Sequence, residues 1–110
     1  MRMTIAALLL ALPATASAQC YENLGQTGCP DEETFSLNDL RGLSCQNLWY
    51  VRNAIFDAHG YCFKTEAAET EFDNSVCYEE DPAMLKFNRH EQANIDRIVR
   101  VEREKSCPRP

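Results

Sequence analysis

The chain has 110 residues, six cysteines, and 17 acidic against 11 basic side chains, giving a net charge of −6. This length holds one domain with a small core, and the acidic charge excludes nucleic acid as a partner because its phosphates would be repelled. Six cysteines in so short a chain indicate disulfides formed in an oxidising compartment, rather than the thiols of a cytosolic protein.

Residues 1–18 have the pattern of a secretory signal peptide. Arg2 precedes an apolar run over residues 4–12, and residues 16–18 read Ala-Ser-Ala, the small-x-small site of signal peptidase. The apolar run is shorter than the roughly 20 residues that span a bilayer. We therefore predict a cleaved leader and not a membrane anchor.

Cleavage is expected after Ala18. Gln19 lies where lipid attachment to Cys20 would require a small residue, so the mature chain is predicted to start at Gln19 and carry no lipid. It is then periplasmic or secreted, with no stable membrane insertion after cleavage of the signal.

Residues 19–35 are predicted to form an irregular segment at the start of the mature chain. Gly28 and Pro30 interrupt any regular element there. Cys20 and Cys29 are close enough in sequence to close a local loop, and we predict that they form a disulfide.

A helical domain is predicted over residues 36–107. It begins with a short helical turn at 36–40, followed by the strongest helix at 45–59, with Ser44 as its N-cap and Gly60 just past its end. The buried stripe of this helix is expected to contain Leu48, Val51, Ile55 and Ala58, widened by Trp49 and Phe56.

The aromatic side chains permit two interpretations. Trp49 and Phe63 are expected in the core, with Tyr50 and Tyr78 left at the surface for contacts with a partner. The alternative is a shelf for stacking sugars, built from these four side chains and Tyr61.

The rest of the domain also reads as helical. A shorter helix is predicted at 66–72, and the last helix starts with Asn88 as its cap and Glu91 at the third position. Its buried stripe is expected to contain Ile95, Ile98 and Val99, and its exposed flank Arg97, Arg100 and Arg103. No stretch alternates with period two for long, so the fold class is mainly α: a small, compact helical domain stapled by disulfides.

Helix geometry narrows the pairing of the other four cysteines. Cys45 opens a helix and Cys62 follows its end, about 20 Å away at about 1.5 Å per residue, whereas a disulfide needs Cα atoms within about 7 Å. We predict a Cys62–Cys77 disulfide, which would enclose the predicted helix at 66–72. The remaining pair, Cys45–Cys107, would then tie the last helix to the start of the helix at 45–59.

Charge is unevenly distributed along the domain. Residues 66–81 carry seven acidic side chains and no lysine or arginine, whereas residues 83–110 carry seven basic and four acidic ones. We expect two solvated faces that attract one another within the fold, with a binding patch as the alternative.

The sequence of residues 43–63 contains the motifs Arg52-Asn53, His59-Gly60 and Tyr61-x-Phe63. With these motifs it resembles the YARHG domain of bacterial extracytoplasmic proteins, which is named for a Tyr-Ala-Arg-His-Gly run. Residues 56–58, Phe-Asp-Ala, replace the Tyr-Ala-Arg of that run, so the arginine of the name is absent here.

The later family pattern is also present, as Phe72 before a turn and as Asn88-x-x-Glu91-x-x-Asn94-Ile95. The chain is similar to a cysteine-containing branch of short exported bacterial proteins of unknown function. The resemblance implies an accessory or binding module of the cell envelope, without an assigned activity.

Arg52, Asn53, His59 and Tyr61 are the candidate binding residues. Arg52 and His59 could hold an anion or a polar ligand, although a histidine at a helix C-terminus also satisfies free carbonyl groups there. No catalytic residues are assigned, because no nucleophile, phosphate loop or paired-carboxylate motif occurs with these side chains. The cysteine and histidine spacings predict no metal site, and no cofactor is expected.

The favoured function is therefore a non-catalytic periplasmic or secreted module that binds a cell-envelope protein or glycan. One alternative is a small hydrolase of envelope polymers that uses His59 with an acidic residue. The other is a secreted, disulfide-rich inhibitor or effector that presents the loop between Cys20 and Cys29 as a rigid, exposed element.

Overall fold

The computed structural model describes residues 19–109, and the predicted signal peptide lies outside them. The helices in this range are α1 (Leu37–Arg41), α2 (Cys45–Ala58), α3 (Glu66–Glu71) and α4 (Arg89–Glu104), with single 3₁₀ turns at Asn74–Val76 and Pro82–Met84. Strand pairing within this range is limited to one isolated parallel bridge between Tyr61 and Glu79. The prediction of a mainly helical domain is confirmed.

Side-chain caps set the helix ends. The Ser44 hydroxyl accepts a hydrogen bond from the Asn47 amide at the start of α2, and Gly60 has φ +79° just beyond its end. At α4, Asn88 and Glu91 form a complete capping box. Local sequence therefore determines where both long helices begin.

The first of two clusters of buried side chains, the helical core, joins α1, α2 and α4 to the N-terminal segment. Its members are Leu24, Phe35, Leu40, Leu48, Val51, Ile98 and Val101. Two predictions about the stripes are wrong. Val99 is only half-buried, because the buried face of α4 continues from Ile98 to Val101, three residues later. Ala58 is exposed, in the last turn of α2.

The second cluster, the aromatic cluster, packs α3 and its flanking segments against one side of α2. Phe63, Ala68 and Phe72 are buried in it, and the partly buried side chains around them are Trp49, Tyr50, Ala54, Phe56 and Tyr61. Trp49 is thus half-buried and not in the core as predicted, because α3 is too short to cover its ring.

Tyr50 and Tyr78 differ in a way that the sequence analysis did not anticipate. Tyr50 is half-buried, with its ring centroid 5.1 Å from that of Phe72, so it is not the surface contact that was expected. Tyr78 is 78% exposed, as predicted.

Three disulfides stabilise the fold: Cys20–Cys29, Cys45–Cys107 and Cys62–Cys77, the same pairs as those predicted from the sequence. The bond from Cys45 ties the start of α2 to the residues after α4. The bond from Cys62 closes the part of the chain that contains α3, where few side chains are buried.

The expected attraction between the acidic and basic stretches is not realised in ion pairs. Among residues 19–109 the ion pairs of α4 join Glu102 to Arg52, Glu104 to both Arg41 and Arg100, and Glu91 to His59. None of these pairs includes a carboxylate from residues 66–81. The predicted exposure of Arg97, Arg100 and Arg103 is confirmed.

None of the helices within residues 19–109 combines the length and the apolar character that crossing a membrane requires.

Candidate functional site

The four candidate binding residues do not converge on one pocket. Arg52 forms a two-point ion pair with Glu102, with Nε–Oε1 and Nη2–Oε2 distances of 2.9 and 3.1 Å. This pair fastens the middle of α2 to α4 beside a small cavity of about 60 Å³, which His59 does not line. A guanidinium already held in this way has little capacity left for an anion.

Asn53 and Tyr61 are also engaged within the fold. The Asn53 side chain donates to the carbonyl oxygen of Trp49, one turn earlier in the same helix. The Tyr61 ring lies edge-on against Phe56 and Phe63, with centroid distances of 5.6 and 5.1 Å. Both side chains therefore have structural roles in the arrangement observed here.

His59 connects the end of α2 to the start of α4. Its Nε2 lies 3.0 Å from each carboxylate oxygen of Glu91, and its ring packs edge-on against Phe87. The Glu91 side chain is only 9% exposed, and its Oε1 also accepts from the Asn88 amide at 2.8 Å. The histidine of the family motif thus joins two helix ends through the capping carboxylate.

A cavity of about 220 Å³ lies beside this pair. Its walls are formed by Gln19, Tyr21, Pro30, Asp31, Ala54, Ile55, Ala58, His59 and Glu91. An imidazole oriented by a carboxylate is the arrangement of a general base, but serine, threonine and cysteine are absent from this lining. The cavity fits a small polar ligand better than a covalent mechanism.

The Tyr21 side chain, which lines this cavity, carries a polar atom without a hydrogen-bond partner among residues 19–109. The Tyr21 hydroxyl is buried, and no hydrogen bond to it occurs within residues 19–109. Burial, with a smaller contribution from Tyr50, raises the pKa of Tyr21 above its usual value, so the group remains a neutral donor.

An open groove of about 470 Å³ runs between α2 and α3. Gln46 and Trp49 of α2 form one wall, and the other is formed by Glu66, Ala67, Thr70 and Glu71. The Trp49 ring is supported from behind by Phe72, at a centroid distance of 6.1 Å. The groove therefore presents one fixed aromatic ring among amide, hydroxyl and carboxylate groups.

The loop between Cys20 and Cys29 is rigid but only partly exposed. Leu24 at its centre is 3% exposed and belongs to the helical core. Hydrogen bonds from the amides of Gln26 and Thr27 and from the Thr27 hydroxyl lower the pKa of Glu33 from 4.5 to about 2. One side of the loop is thus fixed to the domain and the other faces solvent.

Within residues 19–109, no group of three or more histidine, cysteine, aspartate or glutamate side chains is arranged to hold a metal ion.

The partner of His59 was not predicted from the sequence, and Trp49 was considered only as part of an alternative shelf for stacking sugars, without the groove residues of α3. Glu91 was recognised only as a helix cap, although its place in the family pattern was visible in the sequence. The groove was harder to recognise from the sequence than Glu91, because Trp49 and α3 come together only when the aromatic cluster packs.

The family comparison matches the YARHG domain over residues 30–103. This is a small extracellular domain of unknown function, which agrees with an oxidising compartment and with the three disulfides. The searches of curated proteins and of solved structures found no match to the chain. The matched range covers most of the sequence, including the pair of His59 and Glu91, and the chain therefore belongs to the YARHG domain family.

Proposed function

We propose that this chain is a non-catalytic, periplasmic or secreted binding module of the bacterial cell envelope, and that it holds a glycan along the Trp49 groove. The observation that carries the proposal is the half-buried Trp49 ring, packed against Phe72 in one wall of an open groove of about 470 Å³. An amphipathic ring held in place in this way offers contact area at little cost in conformational entropy.

The chemistry of the walls suits sugars. The apolar face of a pyranose can cover the indole, while its hydroxyl groups bond to the side chains of Gln46, Thr70 and the two glutamates. A few placed polar groups around an apolar surface are what orient a small polar ligand. The groove is open, as binding within a long polymer requires.

The two carboxylates of the groove support binding and not hydrolysis. A glycosidase needs one carboxyl kept protonated in an apolar pocket and a second one ionised. Glu66 and Glu71 are both exposed to solvent, so neither has such a pocket. They act here as hydrogen-bond acceptors.

The chain contains a single tryptophan, so Trp49 reports directly on its own groove. Titration with soluble peptidoglycan fragments is expected to shift or quench its fluorescence in a saturable way, with the fragments recovered unchanged by mass spectrometry. A flat titration, repeated with N-acetylglucosamine oligomers and also flat, would remove the proposal.

Helix α3 supplies a matched control. Glu66→Gln and Glu69→Gln make the same change in its first turn, but only Glu66 lines the groove. Glu66→Gln is expected to weaken binding by about tenfold, since a hydrogen bond to a charged group contributes about 1.5–3 kcal/mol. Glu69→Gln should bind as the unchanged protein does, and equal losses in both variants would point to a general charge effect.

The pair of His59 and Glu91 supports a second candidate, a small hydrolase of envelope polymers. Both residues line the 220 Å³ cavity, and the imidazole is oriented by the carboxylate as a general base requires. This candidate predicts slow release of fragments from peptidoglycan that Glu91→Gln abolishes. Release that persists at the same rate in Glu91→Gln would remove it.

A further inference from the structure

The large exposed hydrophobic side chains of the described range lie close together in sequence. They are Val76, Tyr78 and Met84, with exposed fractions of 78%, 78% and 57%. Single exposed apolar residues are ordinary, but three within nine residues of chain distinguish this stretch from the rest of the described surface. We refer to this stretch as the 76–84 segment.

The backbone of this segment is fixed despite its exposure. The amides of Tyr78 and Glu79 both donate to the carbonyl oxygen of Gly60, at 2.9 and 3.0 Å, and the Cys62 amide donates to that of Glu79 at 2.8 Å. The disulfide Cys62–Cys77 holds the residue next to Tyr78. A partner that binds here has little loop entropy to remove.

The Tyr78 ring rests on the glycine of the family motif. A Cβ atom at Gly60 would overlap this ring, so the ring can occupy this position only because Gly60 has no side chain. The ring is therefore supported on the side next to Gly60, while the residue stays 78% exposed. Rigid, exposed tyrosines of this kind are typical anchors of protein interfaces.

Charge identifies the class of occupant. The segment and its flank carry Asp73, Glu79, Glu80 and Asp81, and no ion pair to these carboxylates occurs within residues 19–109. Two lysines accompany these four carboxylates: Lys64, which donates to the carbonyl oxygen of Glu80, and the exposed Lys86, two residues after Met84, so the acidic groups remain in excess. The negative potential repels anionic lipid and nucleic acid and attracts a positively charged surface.

We propose that the 76–84 segment docks a lysine- or arginine-rich segment of a partner protein, with Tyr78 as the anchor and the surrounding carboxylates as the polar rim. Arginine and lysine suit such a site, because they can lie over an aromatic ring and pair with carboxylates at its edge. The proposal is independent of the glycan groove, whose lining shares no residue with the 76–84 segment.

The probe is a fluorescein-labelled peptide in which arginine alternates with leucine, measured by fluorescence anisotropy against the whole mature chain. A peptide with glutamate in place of arginine is the paired probe. Saturable binding of the basic peptide that weakens as salt is raised is the expected result. Equal binding of the acidic peptide, or no binding of either, overturns the proposal.

Two substitutions locate the interaction. Tyr78→Ala is expected to lower the affinity by about tenfold or more, and Glu80→Lys by several-fold, while the helical content stays constant because both residues are exposed. Glu32→Lys is the control, since it reverses a charge that is also exposed but lies outside the segment. Unchanged affinity in Tyr78→Ala, or an equal loss in Glu32→Lys, overturns the assignment.

Two further measurements test other occupants. If sedimentation equilibrium shows a dimer that dissociates in Tyr78→Ala, the occupant of the segment is a second copy of the chain. If the chain binds zwitterionic lipid vesicles and Tyr78→Ala abolishes this binding, the occupant is a membrane. Either result overturns the proposal. Glu66→Gln should leave peptide binding unchanged, so this test and that of the glycan groove can fail separately.

Discussion

The helical core contains seven buried side chains drawn from three helices and the N-terminal segment, whereas the aromatic cluster contains three around a six-residue helix. The core buries Phe35 and six aliphatic side chains, each at most 4% exposed. The cluster leaves Trp49 and Tyr61 half-buried at its edge. The region with fewer buried side chains therefore has more of them available for contacts, and a disulfide replaces some of the missing hydrophobic stabilisation.

Removal of single disulfides is the strongest test of this contrast. Cys45–Cys107 spans 62 positions and Cys62–Cys77 spans 15, so chain entropy predicts losses of about 4 and about 3 kcal/mol when each pair is replaced by serine. Urea unfolding followed by circular dichroism measures both losses.

The two losses should also differ in where they act. Hydrogen exchange in the variant without Cys62–Cys77 is expected to increase in α3 and the 76–84 segment while α4 stays protected. Without Cys45–Cys107, α2 and α4 should lose protection together. Uniform loss of protection in both variants would mean that the two regions unfold as one unit.

Two asparagines with similar roles sharpen the comparison. In the helical core, Asn94 is fully buried and bonds to the Phe35 amide and to the carbonyl oxygens of Pro30 and Glu33, at 2.8, 3.0 and 2.8 Å. Asn94→Ala leaves these groups unpaired and is expected to lower the free energy of unfolding by about 3 kcal/mol. Thermal and urea unfolding give the value.

In the aromatic cluster, Asn74 bonds to the amide and the carbonyl oxygen of Phe63, at 3.1 and 2.9 Å. It is half-buried, so water can replace its side chain, and Asn74→Ala is expected to lower the stability by about 1 kcal/mol. Asn38→Ala, at an exposed position of α1, is the control with an effect within about 0.5 kcal/mol. A larger loss for Asn74→Ala than for Asn94→Ala would contradict the contrast.

The smallest expected effect is a loss of stability in the N-terminal loop at acidic pH. Because the folded pKa of Glu33 is about 2 and its ordinary value is 4.5, its hydrogen bonds stabilise the N-terminal loop above pH 4.5. That stabilisation declines as the pH falls from 4.5 towards 2. The amide proton shifts of Gln26 and Thr27 should follow this titration, with a midpoint near the folded pKa.

Substitution separates this effect from general acid unfolding. Glu33→Gln should remove the titration from both amide shifts, and Glu32→Gln should leave it in place. A titration that survives in Glu33→Gln would show that another group controls the loop.

Much of the fold was accessible from local sequence patterns. Ser44, Gly60 and the Asn88–Glu91 box mark helix ends because each acts within a few residues of itself. The candidate site was not accessible in the same way. Arg52 and His59 are two turns apart on one helix, but their partners on α4 separate them into different cavities.

The sequence by itself determined the helices and the family, because caps, periodicity and the family motifs are visible over short stretches of chain, and helix length excluded the pairing of Cys45 with Cys62. Only the tertiary structure decided that Glu91 pairs with His59, that Asn94 forms hydrogen bonds to the N-terminal segment and that Trp49 lines a groove. These contacts join residues far apart in the chain, and they depend on how the helices pack, which no local pattern specifies.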